Sequence, residues 1–193
     1  KKIVREYGQA DLVTATNVFA HIDNLDEVVE GVKILLKPEG VFLIEVAYLK
    51  DLIKKNLFDS VYHEHLCYWA VRPIKVLAGR LGMKIFDVQH VLTHGGSIRV
   101  MMKLNAAKHK IMPAVANCVW LEKKTALDRF STYRALARRI ETNKLALNKL
   151  LGKLKRQGKK IIGFGAPAKA TTLLNYFGIG KQTLDFIVDD SPY

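Results

Sequence analysis

The 193-residue chain is 49% apolar and carries a formal net charge of +13, which excludes a disordered acidic or low-complexity segment and fits one domain or two small ones. No apolar run reaches the roughly 20 residues of a membrane-spanning helix. Cys67 and Cys118 stand in no metal or redox spacing, so a reducing cytoplasmic compartment is the default.

The positive charge is concentrated. Between Arg129 and Lys160 there are eleven Lys or Arg and one acid, Glu141. A solvated helix face is the first reading of such a run; an anion- or RNA-binding surface is the second. The chain opens on Lys1-Lys2-Ile3 with neither an initiator Met nor a signal-peptide pattern, so a fragment of a longer protein is expected.

Asp11 to Thr16 reads as a buried strand, followed by a loop from Asn17 to His21. Asn24 with Glu27 three residues on has the spacing of an N-cap and its box partner. Leu25, Val28, Val29, Val32, Leu35 and Leu36 then repeat at helical intervals, and Pro38 is expected to stop the helix. Val41 to Val46 is an apolar run of strand length. Such runs belong to strands covered on both faces, and strand–helix–strand implies a parallel βαβ unit. A short helix is expected over 48–55, and another from Pro73 to Gly82 with Ile74, Leu77, Ala78 and Leu81 inside.

Strands near 83–91 and 97–104 are joined by the short stretch Thr93-His94-Gly95-Gly96, which makes them antiparallel. A parallel sheet finishing in an antiparallel pair is, by analogy, the ending of a class I methyltransferase sheet. Residues 113–157 read as helices with a break near 123–125, and Leu127, Phe130, Leu136, Ile140, Leu147, Leu150, Leu151 and Leu154 as their apolar side. A second strand–turn–helix opens at Lys160 and reaches a strand over 184–188. The expected class is therefore α/β: the second half of a Rossmann-like sheet over 1–105, a helical linker over 106–158, and the start of another α/β domain over 159–193.

Tyr62-His63-Glu64-His65 is the densest chemical stretch, with a phenol, a carboxylate and two imidazoles in four residues. Such a group at a loop suits acid–base work, and it equally suits a polar loop whose histidines satisfy backbone groups. A metal pair from His63 and His65 lacks a third ligand at zinc-hydrolase spacing, and no nucleophile elbow is present. No metal is expected in this chain.

Four stretches in order resemble the sugar C-methyltransferase family. They are Asn17-Val18-Phe19-Ala20-His21-Ile22, Tyr62-His63-Glu64-His65, His94-Gly95-Gly96-Ser97-Ile98-Arg99, and Gly163-Phe164-Gly165-Ala166-Pro167-Ala168-Lys169 with Leu173-Leu174-Asn175-Tyr176. The resemblance implies methylation, by S-adenosylmethionine, of a carbon beside the ketone of a nucleotide-linked sugar. It also implies an N-terminal zinc module and a glycine loop for the cofactor, neither of which is in these 193 residues; zinc is expected only in that module.

The resemblance makes His65 the base, a role in proton transfer that imidazole takes more often than any other side chain. Tyr62 is the expected donor to the ketone oxygen. Glu64 orients an imidazole or holds sugar hydroxyls, and His21 faces the substrate. Asn17 is assigned to the cofactor side. His94, Arg99 and Lys169 are assigned to the substrate, with Arg99 on a diphosphate. Two other readings stay open: a non-catalytic nucleotide- or RNA-binding scaffold, and an NAD(P)-binding oxidoreductase fragment. The latter lacks the third glycine of the dinucleotide fingerprint.

Overall fold

The computed structural model describes residues 2–191. Helix α1 (Lys2–Tyr7) leads into strand β1 (Ala10–Thr16), helix α2 (Leu25–Leu35), strand β2 (Leu36–Ala47) and helix α3 (Leu49–Lys55). Helix α4 (Val71–Arg80), strands β3 (Met83–Val91) and β4 (Ser97–Leu104), and helices α5 (Pro113–Lys124) and α6 (Phe130–Arg156) follow. Strand β5 (Ile162–Phe164), helix α7 (Ala168–Phe177) and strand β6 (Phe186–Val188) come last. The chain divides into two compact units. One takes the chain up to Lys55 and again from Glu64 to Asp128; the other takes Asn56–His63 and the chain from Arg129 onward.

The first unit is built on a four-stranded sheet in the order β1-β2-β4-β3. Strand β1 runs parallel to β2, while β4 is antiparallel to both of its neighbours. The expected α/β class is present, and so is the antiparallel finish. Register alternation sends Phe42, Ile44 and Val46 to one face of β2, opposite Met102, Val100 and Ile98 of β4. All six are at most 3% exposed, and each large apolar side chain so buried contributes roughly 1.5–3 kcal/mol. Helices α4 and α5 pack against β3 and against each other.

Strand β1, expected to be buried, has no buried residue, and three further points depart from the sequence reading. Helix α2 ends at Leu35, and Leu36 already pairs with Ala10 at the start of β2. Burial of Leu36 draws the chain into the sheet early, and Pro38 falls in the bulged stretch between the Ala10 and Leu12 pairings, where a missing N–H costs no ladder bond. Gly40 closes this bulge, since a Cβ there would meet three atoms at 3.0 Å.

Helix α4 starts at Val71, not Pro73, because its cap is supplied from elsewhere. The fully buried Glu122 carboxylate of α5 accepts the N–H groups of Val71 (2.6 Å) and Arg72 (3.0 Å), and the Tyr48 hydroxyl (3.1 Å). Burial, with the neighbouring Glu122 charge, pushes the Tyr48 phenol well above its ordinary value. The third departure is α6: none of its residues is buried, and Phe130 and Leu150 lie open to solvent.

In the second unit, β5 and β6 pair in parallel, and Phe58 stacks on Phe177 at 5.2 Å. Asn148 of α6 donates to the Phe177 carbonyl at 2.8 Å, and Lys155 pairs with Asp185. The Asp185 carboxylate also accepts the Ile161 N–H; that bond and Lys155 hold its pKa below the usual range.

Candidate active site

The parallel strands β1 and β2 and the third strand β3 all deliver their chains to the same end of the sheet. Beyond β1 come Asn17 and a 3-10 turn, Phe19–His21; beyond β2 comes Tyr48; beyond β3 comes the turn Thr93–Gly95. Main-chain bonds tie these loops together: Asn17 N–H to Glu45 C=O (2.9 Å), Tyr48 N–H to Gly96 C=O (3.0 Å), and Leu49 N–H to Trp69 C=O (2.8 Å). The carboxyl end of parallel strands is where open α/β sheets bind ligands.

Phe19 anchors the first of these loops. It is 1% exposed, packed at 5.6 Å from Phe42 and 6.0 Å from Trp69, which leaves His21 two residues on at the surface. The segment after Glu64 is stitched onto the same turn. Leu66 N–H donates to Ala20 C=O at 2.8 Å, and the Cys67 thiol approaches Phe19 C=O at 3.6 Å. The result brings His21 and His65 together, with ring centroids 5.0 Å apart and planes tilted by 57°. Tyr68 meets the His65 ring edge-on at 6.1 Å. Glu64 is exposed beside it. Tyr62 falls in the second unit, where its ring meets His63 edge-on at 6.1 Å.

The third loop supplies a second pair. Asn17 Nδ2 and His94 Nε2 are 3.2 Å apart. Both residues are left-handed, with φ of 55° and 52°. Gly96 (φ 137°) lets the turn lie against Asp51; a Cβ at that position would be 2.2 Å from Asp51 Oδ2. Asp51 is itself buried and hydrogen-bonded to His90.

The sequence reading missed Glu45, which sits under this turn. Its carboxylate accepts the Thr93 hydroxyl at 2.8 Å and Arg99 Nε at 2.6 Å, and it is 4% exposed. The bonds from Arg99 and Thr93 hold its pKa below the usual carboxylate range against the opposing effect of burial. The lone acid of the apolar run 41–46, with an Arg in the second strand of the hairpin, was the available signal. Arg99 thus spends its Nε on Glu45, and the pair is close to neutral overall, so Arg99 attracts an anion less than a free guanidinium would.

Lys169 lies in the first turn of α7 in the second unit. Ahead of that helix, the Asp189 carboxylate accepts the N–H groups of Ala166 and Ser191, which hold its pKa below the usual range. The Ala166 N–H is therefore already committed to an acid. Among the described residues no three His, Cys, Asp or Glu side chains gather as a metal site, and no helix is long and apolar enough to cross a membrane.

The C-methyltransferase C-terminal domain family matches residues 92–193, more than half of the chain. The chain belongs to the C-methyltransferase family. A methyltransferase domain family matches residues 2–88. The chain is also 37% identical over 189 residues to the C-methyltransferase NovU of Streptomyces niveus. That alignment covers 98% of this chain and 45% of NovU, so the chain spans just under half the length of this curated relative. The C-methyltransferase resemblance carried by the four motifs is borne out at the level of the family, and the sheet fits a class I methyltransferase-like fold. Methyltransferase domains of this kind use S-adenosylmethionine. Asn17 stands exposed, with a left-handed backbone, at the carboxyl end of β1.

Proposed function

We propose that the protein containing this chain methylates the carbon beside the ketone of a nucleotide-linked keto-sugar. The observation that carries the reading is the approach of His21 and His65 at the ligand-binding end of the sheet in a C-methyltransferase chain. S-adenosylmethionine, when bound, supplies a methyl group already activated on a sulfonium.

The chain's own residues prepare the carbon. His65 takes the proton from the carbon next to the ketone, and the C–H electron pair moves into an enolate. A hydrogen-bond donor to the oxygen on which the negative charge grows is the second requirement, and Tyr62, three residues before His65 in sequence, is the residue type that meets it. A placed base contributes about 10²–10⁴-fold, and a preorganised donor to the oxyanion a comparable factor. His21, beside His65, holds the sugar near the base, and Glu64 takes a sugar hydroxyl. His94 contacts the substrate across from Asn17 on the cofactor side. In the first unit the outer nitrogens of Arg99 are the cations offered to the nucleotide's phosphates; in the second unit Lys169 is a separate candidate cation for an anionic group.

The test is His65→Ala in the full-length enzyme, followed in deuterated buffer. Both methyl transfer and exchange of the substrate's α-proton with solvent are expected to be lost. Methyl transfer lost with exchange retained would assign the base to another residue.

A further inference from the structure

We infer that Glu45 is a positioning residue for this edge: one side chain and its own carbonyl fix both the Asn17 loop and the His94 turn. The inference rests on the reading of His94 as a substrate contact. Glu45 C=O accepts the Asn17 N–H at 2.9 Å, and its carboxylate accepts the Thr93 hydroxyl at 2.8 Å. The two loops are far apart in sequence, yet both hang from a single residue, one from its main-chain carbonyl and the other from its carboxylate. Their tips, Asn17 and His94, then meet at 3.2 Å.

Both tips hold left-handed backbones, which residues other than glycine keep only where the surroundings enforce them. The rest of the turn is already clamped. The fully buried Ser97 hydroxyl donates to Thr93 C=O at 3.0 Å, Lys55 Nζ donates to Gly95 C=O, and Asp51 fills the space beneath Gly96. Main-chain bonds join the far side of this turn to the end of β2, and the Thr93 hydroxyl adds the side-chain tie to β2 at Glu45. Arg99 keeps the Glu45 carboxylate ionised and oriented toward it. Because Arg99 balances its charge, Glu45 acts through geometry and not by attracting or repelling a ligand.

The experiment uses the full-length protein with labelled histidine. Donation from Asn17 Nδ2 to His94 Nε2 requires the ring proton on Nδ1, and nitrogen chemical shifts report that tautomer directly. Thr93→Val removes the hydroxyl at nearly constant shape. It is expected to move His94 toward the Nε2–H tautomer, and to raise KM for the nucleotide sugar about tenfold with kcat changed less than about threefold. Thr93→Ser is expected to restore both readouts, and Glu45→Gln to shift them in the same direction as Thr93→Val. A folded Thr93→Val protein with the wild-type His94 signature and KM overturns the inference, as does a loss that Thr93→Ser fails to rescue. If the wild-type protein methylates no nucleotide keto-sugar, the proposed function falls, while the tautomer shift still decides whether Glu45 positions His94.

Discussion

Glu122→Ala is expected to unpin helix α4. The side chain is fully buried and accepts three hydrogen bonds, from the Val71 N–H, the Arg72 N–H and the Tyr48 hydroxyl. Truncation strands two N–H groups at a helix start that has no side-chain cap of its own, since Ala70 occupies the cap position. A hydrogen bond to a charged group contributes about 1.5–3 kcal/mol, and each buried donor left unmet costs about 1–3 kcal/mol. Allowing for partial relaxation and water entry, the loss is about 4 kcal/mol, beyond the 0.5–3 kcal/mol of most single substitutions. Glu122→Gln keeps one acceptor and turns an amide N–H toward the other donors, so about half that loss is expected. Amide hydrogen exchange reads the effect locally at 71–75, and urea denaturation reads it globally. Unchanged protection at Val71 and Arg72 together with a stability loss below about 1 kcal/mol would refute the reasoning.

Two further outcomes follow from the turn under His94. Gly96→Ala places a Cβ 2.2 Å from Asp51 Oδ2 on a backbone with φ of 137°, so a destabilisation of about 3 kcal/mol is expected from strain and overpacking together; Asp51→Ala in the same chain should recover part of it, as thermal denaturation would report. Glu45 has a folded pKa below the ordinary carboxylate range, set first by the Arg99 hydrogen bond. The unfolded chain therefore binds this proton first on acidification, and the Glu45 contribution, complete above about pH 5, is lost as pH falls through the ordinary carboxylate value toward the folded one. Glu45→Gln should flatten that part of the acid dependence, which urea midpoints measured between neutral and acidic pH will show.

Much of the fold was legible because its causes are local. The Asn24 side chain accepts the Glu27 N–H at 3.2 Å, as the four-residue spacing requires. The strand pair 83–91 and 97–104 follows from alternation plus a short glycine turn. The run at 41–46 lies inside a strand bonded on both edges, parallel to β1 and antiparallel to β4. Helix α6 shows the limit of the same logic: leucines at helical spacing announce a helix, but spacing does not say how much surface will be offered to cover them.

What the sequence determined by itself is therefore the family and the elements from β1 onward, though not helix α1, since periodicity, caps and short motifs act within a few residues. The tertiary structure alone decided where α4 begins, because its cap lies 51 residues from Val71 in another helix. It alone set His21 beside His65 and Asn17 beside His94, and it alone turned Glu45 from one more residue of an apolar strand into the tie beneath the turn. The physical reason is common to all three. A hydrogen bond or ring contact across the sheet end depends on register and loop path, and these are fixed only when the whole core closes.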